Sequence, residues 1–149
     1  MLETLSKLVF EITGKQIKVG PENRQDGEFI YYDTTLSILH ELCHWIAASE
    51  EDRKDPYLGW FNKGNVCMDD LPQNLMEQEG NALYLSSILY RRFYCDDIQI
   101  CRFADYFEEI SLKFIKPNLD LLNDPNFIKI TTTLDGHILT RKFYGLDKN

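Results

Sequence analysis

Ile38-Leu39-His40-Glu41-Leu42-Cys43-His44-Trp45 carries the pattern H-E-x-x-H inside a run of helical periodicity. From Thr34 to about Ser49 the apolar residues Leu36, Leu39, Leu42, Cys43, Ile46 and Ala47 recur at three- and four-residue intervals, and Asp33 stands where an N-cap is needed. The stretch therefore predicts a helix, the most apolar one in the chain. Residues four apart lie about one turn from each other on one face, so His40 and His44 can present imidazole nitrogens to a single ion. Glu41, offset by about 100°, can reach a water on that ion instead of the ion itself. Two histidines flanked by Leu39, Cys43 and Ile46 would be costly to bury without a partner, so shared ligation accounts for them better than two exposed or hydrogen-bonded core histidines.

Both zinc and non-haem iron sites complete their protein shell with one more residue, commonly a carboxylate. The next predicted helix begins with Pro72 at its first position, runs to about Arg92, and offers Glu77 and Glu79, 33 and 35 residues beyond His44. These two project about 200° apart on a helix, so one at most faces the site. Glu77 is the preferred ligand and Glu79 the alternative. Glu77 shares its face with Gly80, which would allow close helix approach at the ion, and with Asn81 and Tyr84. Tyr84 is a candidate catalytic phenol, although an amphipathic core aromatic is the plainer reading. Imidazole and carboxylate suit several divalent ions, so the expected cofactor is one divalent metal ion, iron(II) or zinc.

Outward from this pair, Leu5, Leu8, Val9 and Ile12 mark a first helix ending at Gly14. Gln16 to Val19 and Glu28 to Tyr32 read as two short strands. Glu50 to Lys54 reads as a solvated helix end, and Asp55-Pro56 as a stop. A loop rich in glycine, asparagine and aromatics runs from Tyr57 to about Leu71, and Asp96 and Asp97 open a fourth helix that Pro117 ends. In the tail, Ile128 to Leu134 and His137 to Phe143 flank Asp135-Gly136, a strong hairpin signal. His137 is then a turn residue, with only a remote prospect of being a fourth ligand. Cys43, Cys67, Cys95 and Cys101 form no C-x-x-C pair and are expected to be reduced and mostly buried.

Beyond the five-residue pattern, His40 to Ala48, followed by Arg53, Gly59, Trp60 and Phe61 and then Met76-Glu77-Gln78-Glu79-Gly80-Asn81-Ala82-Leu83, resembles the elongation factor P hydroxylase family. The resemblance covers about Ile38 to Leu85, a third of the chain. It implies a zincin-like fold, a metal held by His40, His44 and the glutamate matching Glu77, and oxygen-dependent hydroxylation of a modified lysine on a protein substrate. A fainter similarity at Asn126 to Lys129 implies a helix where the hairpin pattern predicts a strand.

The chain of 149 residues is expected to form a single domain, 1–149, of helix-dominated α+β class: a zincin-like metal-binding helix pair with a small β-sheet. A net charge of −8 argues against a nucleic-acid partner. No run approaches the roughly 18 apolar residues of a membrane span, and MLETLSKLVFEITGK lacks the parts of a signal peptide, so a cytoplasmic location is expected. Three functions compete: a hydroxylase acting on a protein side chain, a zinc metallopeptidase with Glu41 as general base, and a catalytically silent, metal-stabilised binding module.

Overall fold

The computed structural model describes residues 1–20, 23–56, 58, 68–142 and 144. Helix α1 (Leu2–Thr13) buries Leu5, Leu8, Val9 and Ile12, the four residues whose spacing predicted it. It ends at Gly14, whose φ of 76° is the left-handed conformation that glycine adopts at no steric cost. Strands β1 (Gln16–Val19) and β2 (Phe29–Tyr32) follow and pair in parallel, Gln16 opposite Phe29 and Val19 opposite Tyr32. So short a connection allows a parallel pair because the chain reverses twice. Asp26 Oδ1 accepts from the backbone N–H groups of Glu28 and Phe29, both at 2.8 Å, and this turn swings Gln25 into an antiparallel bridge with Ile30. One edge of β2 thus meets β1 and the other meets residues 24 and 25.

Helix α2 (Thr35–Ala47) carries the H-E-x-x-H pattern. Its N-cap is Thr34 and not Asp33. The Thr34 backbone N–H donates to Ser37 Oγ at 3.4 Å, while Asp33 Oδ1 accepts from that same hydroxyl. Helix α3 (Gln73–Phe93) packs along α2 on one side and along α4 (Ile98–Phe114) on the other. Pro72 stands one residue before the position expected of it, as the N-cap of α3. Asp97 caps α4 by accepting from Ile100 N. Ile38, Leu39 and Leu42 of α2, Leu85, Leu89 and Phe93 of α3, and the buried stripe of α1 form one core. The observed class, five helices with a two-stranded sheet among the described residues, is the helix-dominated α+β arrangement expected. Among those residues no helix is long and apolar enough to cross a membrane.

The tail corrects the hairpin reading. Pro125–Thr133 is a helix, α5, with Asp124 accepting from Asn126 N as N-cap and Pro125 in the first turn. Phe127, Ile130 and Leu134 are buried at intervals of three and four, so packing against α1 and α2 overrides the strand preference of three consecutive threonines. Asp135-Gly136 is the exit from this helix, with Gly136 at φ 81° and the His137 N–H donating to Leu134 O. His137 is exposed there and is not grouped with the clustered donors.

Gly80 has a different neighbour from the one its sequence suggested. A Cβ at this position would meet Cγ1 and Cδ1 of Ile115 at 2.6 Å, and Ser111 Oγ donates to Gly80 O at 2.7 Å. The close approach that glycine permits is therefore between α3 and the end of α4. Gly80→Val should destabilise the chain by about 1–3 kcal/mol through overpacking, read as a lower midpoint in urea melts.

Candidate metal centre

One turn of α2 separates His40 from His44, and their Nε2 atoms lie 3.1 Å apart. Glu79 reaches in from the neighbouring α3, with Oε2 3.5 Å from His44 Nε2. One donor atom from each of the three residues lies within 4.8 Å of the other two. Donors about 2.0–2.2 Å from a shared ion sit about 3.3–3.6 Å apart at tetrahedral angles and about 3 Å apart at right angles. The two observed spacings fall across that interval, so the donor set fits a divalent ion in size and in chemistry.

Electrostatics prepare the same donors. Burial lowers His40 to about 3, assisted by His44 and opposed by Glu79, and burial lowers His44 to about 4. Both imidazoles are therefore neutral at physiological pH, which is the ligating form. Ser86 Oγ lies 2.9 Å from His40 Nδ1 and orients that ring, leaving Nε2 toward His44 and Glu79. Burial raises the Glu79 carboxyl above its ordinary range, with His40 pulling the other way.

The preference for Glu77 is reversed by where α3 turns. Glu77 is exposed, its Oε1 accepting from Gln73 Nε2 at 3.0 Å along the same helix, and it faces the side on which Gly80 meets Ile115. Asn81 on that side accepts from Asn118 N. Glu79 shares its face with Ser86, which touches His40, so this face of α3 meets the histidines. Tyr84 is half-buried and lies off this face, with its backbone carbonyl accepting from Ser87 Oγ.

Glu41 is buried beside His40 and paired away from it. Gln25 Nε2 donates to Glu41 Oε1 and to the Glu41 backbone oxygen, each at 3.1 Å, and Lys15 Nζ donates to Gln25 Oε1 at 2.6 Å. Burial raises Glu41 to about 8, against the pull of Gln25, while Glu79 adds to the rise and Lys15 opposes it. Burial lowers Lys15 to about 8, with Glu41 opposing. The sign for stability follows from the folded value lying above the ordinary 4.5. The fold favours protonated Glu41, so its unfavourable contribution is absent in acid and grows as pH rises toward about 8. Glu41→Gln, a neutral isostere, should therefore raise the stability of the metal-free chain at pH about 8 and leave it nearly unchanged at pH about 5, as read from urea melts.

Arg53 is half-buried, not solvated as its charged surroundings suggested. Its Nε donates to Trp45 O at 2.8 Å, closing the C-terminus of α2, and its guanidinium lies 5.3 Å from the Trp45 ring centre. Asp52 accepts from Gln78 Nε2, whereas Glu50, Glu51 and Lys54 are exposed. Gly59, Trp60, Phe61 and Cys67 lie outside the described residues, as does most of the predicted 57–71 loop. Cys43 is buried, but Cys95 is exposed and Cys101 only partly covered, so the expectation of mostly buried thiols fails for these two. Gln25 and Lys15 carry no spacing signal, being lone polar residues at strand margins.

A cavity of about 300 Å³ adjoins His40, with Leu36, Tyr90, Ile100, Phe103 and Phe107 among its walls and Asp33 and Arg141 supplying charge. The Phe107 ring centre lies 5.6 Å from that of His40. Comparison of the chain with protein-family models, curated proteins and solved structures found no match.

Proposed function

We propose that this chain is a metal-dependent enzyme built on a two-histidine, one-carboxylate centre, and that it hydroxylates a side chain of a protein substrate. The convergence of His40, His44 and Glu79 carries the metal-dependent part. Two imidazoles and a carboxylate are the donor set of non-haem iron(II) oxygenases, and the resemblance around His40 to Ala48 and Met76 to Leu83 supports that chemistry over others sharing the set. His40, His44 and Glu79 would hold the ion, which when bound would supply oxygen activation. The chain's own part is to keep both imidazoles neutral, to orient His40 through Ser86, and to line the adjoining cavity with the apolar faces of Tyr90, Phe103 and Phe107. Free thiols at Cys43, Cys95 and Cys101 support a reducing, cytoplasmic setting for this reaction.

The test is anaerobic reconstitution with iron(II), then exposure to oxygen and a two-electron reductant such as ascorbate, which takes the second oxygen atom to water, with a lysine-bearing acceptor, elongation factor P being the first to try. Mass spectrometry should show a gain of one oxygen atom that depends on both metal and oxygen. Its absence on every acceptor, with the metal bound, would overturn the hydroxylase reading.

Glu41 favours a second reading, a zinc metallopeptidase. A buried carboxyl next to the first histidine suits a general base, a role for which an iron centre has no evident need. That reading expects a zinc-loaded chain to cut a peptide library and Glu41→Gln to stop it; an intact library sinks it.

A further inference from the structure

Lys15, Gln25 and Glu41 form a line of buried polar groups outside the donor set. They come from three separate segments. Lys15 follows the left-handed Gly14 that ends α1, and its backbone N–H donates to Thr13 Oγ1 at 3.0 Å. Gln25 is tied to β2 by its bridge to Ile30 and is fully buried. Glu41 lies on α2, one residue past the first histidine.

The order of donors and acceptors along this line is forced. An ammonium can only donate, so Lys15 Nζ, 2.6 Å from Gln25 Oε1, decides which way the Gln25 amide points. The NH2 end then faces α2 and gives both its hydrogens to one residue, the backbone oxygen and Oε1 of Glu41, each 3.1 Å away. A carboxyl and the backbone carbonyl of the same residue, held by one amide, leave that side chain a single direction. The ring of Trp45 covers the line from the side, 5.0 Å from Lys15 Nζ. Packing alone does not account for the choice of residues, since a leucine at 25 and a methionine at 15 would fill this space without the cost of burying an amide and an ammonium.

We propose that Gln25 is a positioning residue for Glu41, with Lys15 setting the Gln25 amide, so that the Glu41 carboxyl is held in one orientation beside the metal centre. This rests on the metallopeptidase reading above, the one that gives Glu41 a part in the reaction. The arrangement matches a general rule, that groups behind an active residue fix its direction and are worth about 10- to 100-fold in function when removed.

Two measurements test it. In the metal-free chain, the side-chain amide protons of Gln25 should appear in nuclear magnetic resonance spectra as a pair protected from exchange with water. Protection should vanish in Glu41→Ala and in Lys15→Met. Rapid exchange in the unaltered chain overturns the proposal. In the metal-loaded chain, Gln25→Leu should lower turnover about 10- to 100-fold while zinc or iron(II) affinity stays within experimental error of the parent; the thermal midpoint should fall as well, because Lys15 and Glu41 lose their buried partner. Parallel losses of turnover and metal affinity assign Gln25 a structural role and overturn the proposal. A protected amide in a chain that turns over neither an acceptor protein nor peptides overturns the enzymatic reading, and the positioning role with it. Freely exchanging amide protons in a chain that does turn over overturn the positioning role alone.

Discussion

His44→Ala is expected to abolish stoichiometric binding of zinc or iron(II), and Glu79→Gln to weaken it by a factor on the order of 10² to 10⁴. The magnitude comes from the strength of protein metal sites, about 10–16 kcal/mol at neutral pH for structural zinc, divided among three or four ligands. Each donor then carries about 3–5 kcal/mol, and each 1.4 kcal/mol is about tenfold in affinity. Glu79→Gln keeps the shape of the side chain and removes only its charge, so a loss of binding reports ligation and not disruption of α3. Glu77→Gln is the matched control two residues away. Glu77 is exposed and paired with Gln73, so its replacement should leave affinity within about twofold, the scale of an ordinary surface change. Calorimetric titration against a buffered ion checks all three variants. An affinity that falls for Glu77→Gln and holds for Glu79→Gln would return the third ligand to Glu77.

The second large effect lies in the core that holds α2 and α3 together. Leu42 is fully buried one residue beyond Glu41 and belongs to the cluster shared by α1, α2 and α3. Leu42→Ala is expected to cost about 2–5 kcal/mol, the sum of lost transfer free energy and the cavity left behind. Urea melts of the metal-free variant measure it, and a cost below about 1 kcal/mol would mean that the helices close over the gap. Adding zinc at about 100 times its dissociation constant should return about 2.7 kcal/mol, because the ion binds the folded chain in preference to the unfolded one.

What could be read in the sequence follows what repeats along it. Leu5, Leu8, Val9 and Ile12 alone predict α1, and the apolar run with its two histidines predicts α2 and the direction of both imidazoles. The choice between Glu77 and Glu79 could not be made the same way. It depends on the rotation of α3 about its axis, which is set by Gly80 against Ile115 on one side and Ser86 against His40 on the other, contacts with residues far away in sequence. In the tail, Asp124-Pro125 is an N-cap followed by a first-turn proline, a helix start as clear as the turn signal at Asp135-Gly136. Both signals were real: one begins α5 and the other follows its end, and the threonines between them took their conformation from the burial of Phe127 and Ile130. Lys15 and Gln25 had no pattern to betray them, since what defines them is a partner on another segment.

The three donors are unevenly spaced along the chain. His40 and His44 are joined by a single turn of helix, so an ion that touched these two alone would constrain nothing that α2 does not already constrain. Glu79 lies 35 residues beyond His44, and a bond from it would turn the ion into a cross-link across that interval. Closing a loop of this length in a disordered chain has an entropic cost whose length-dependent part is about 3 kcal/mol. In the folded chain α3 already lies against α2, so the ion meets the far end of the loop in place. The fold thus bears the entropy of assembling the centre in advance, and a bound metal would in turn lock α3 to α2 much as a disulfide would, but reversibly and at the command of ion supply.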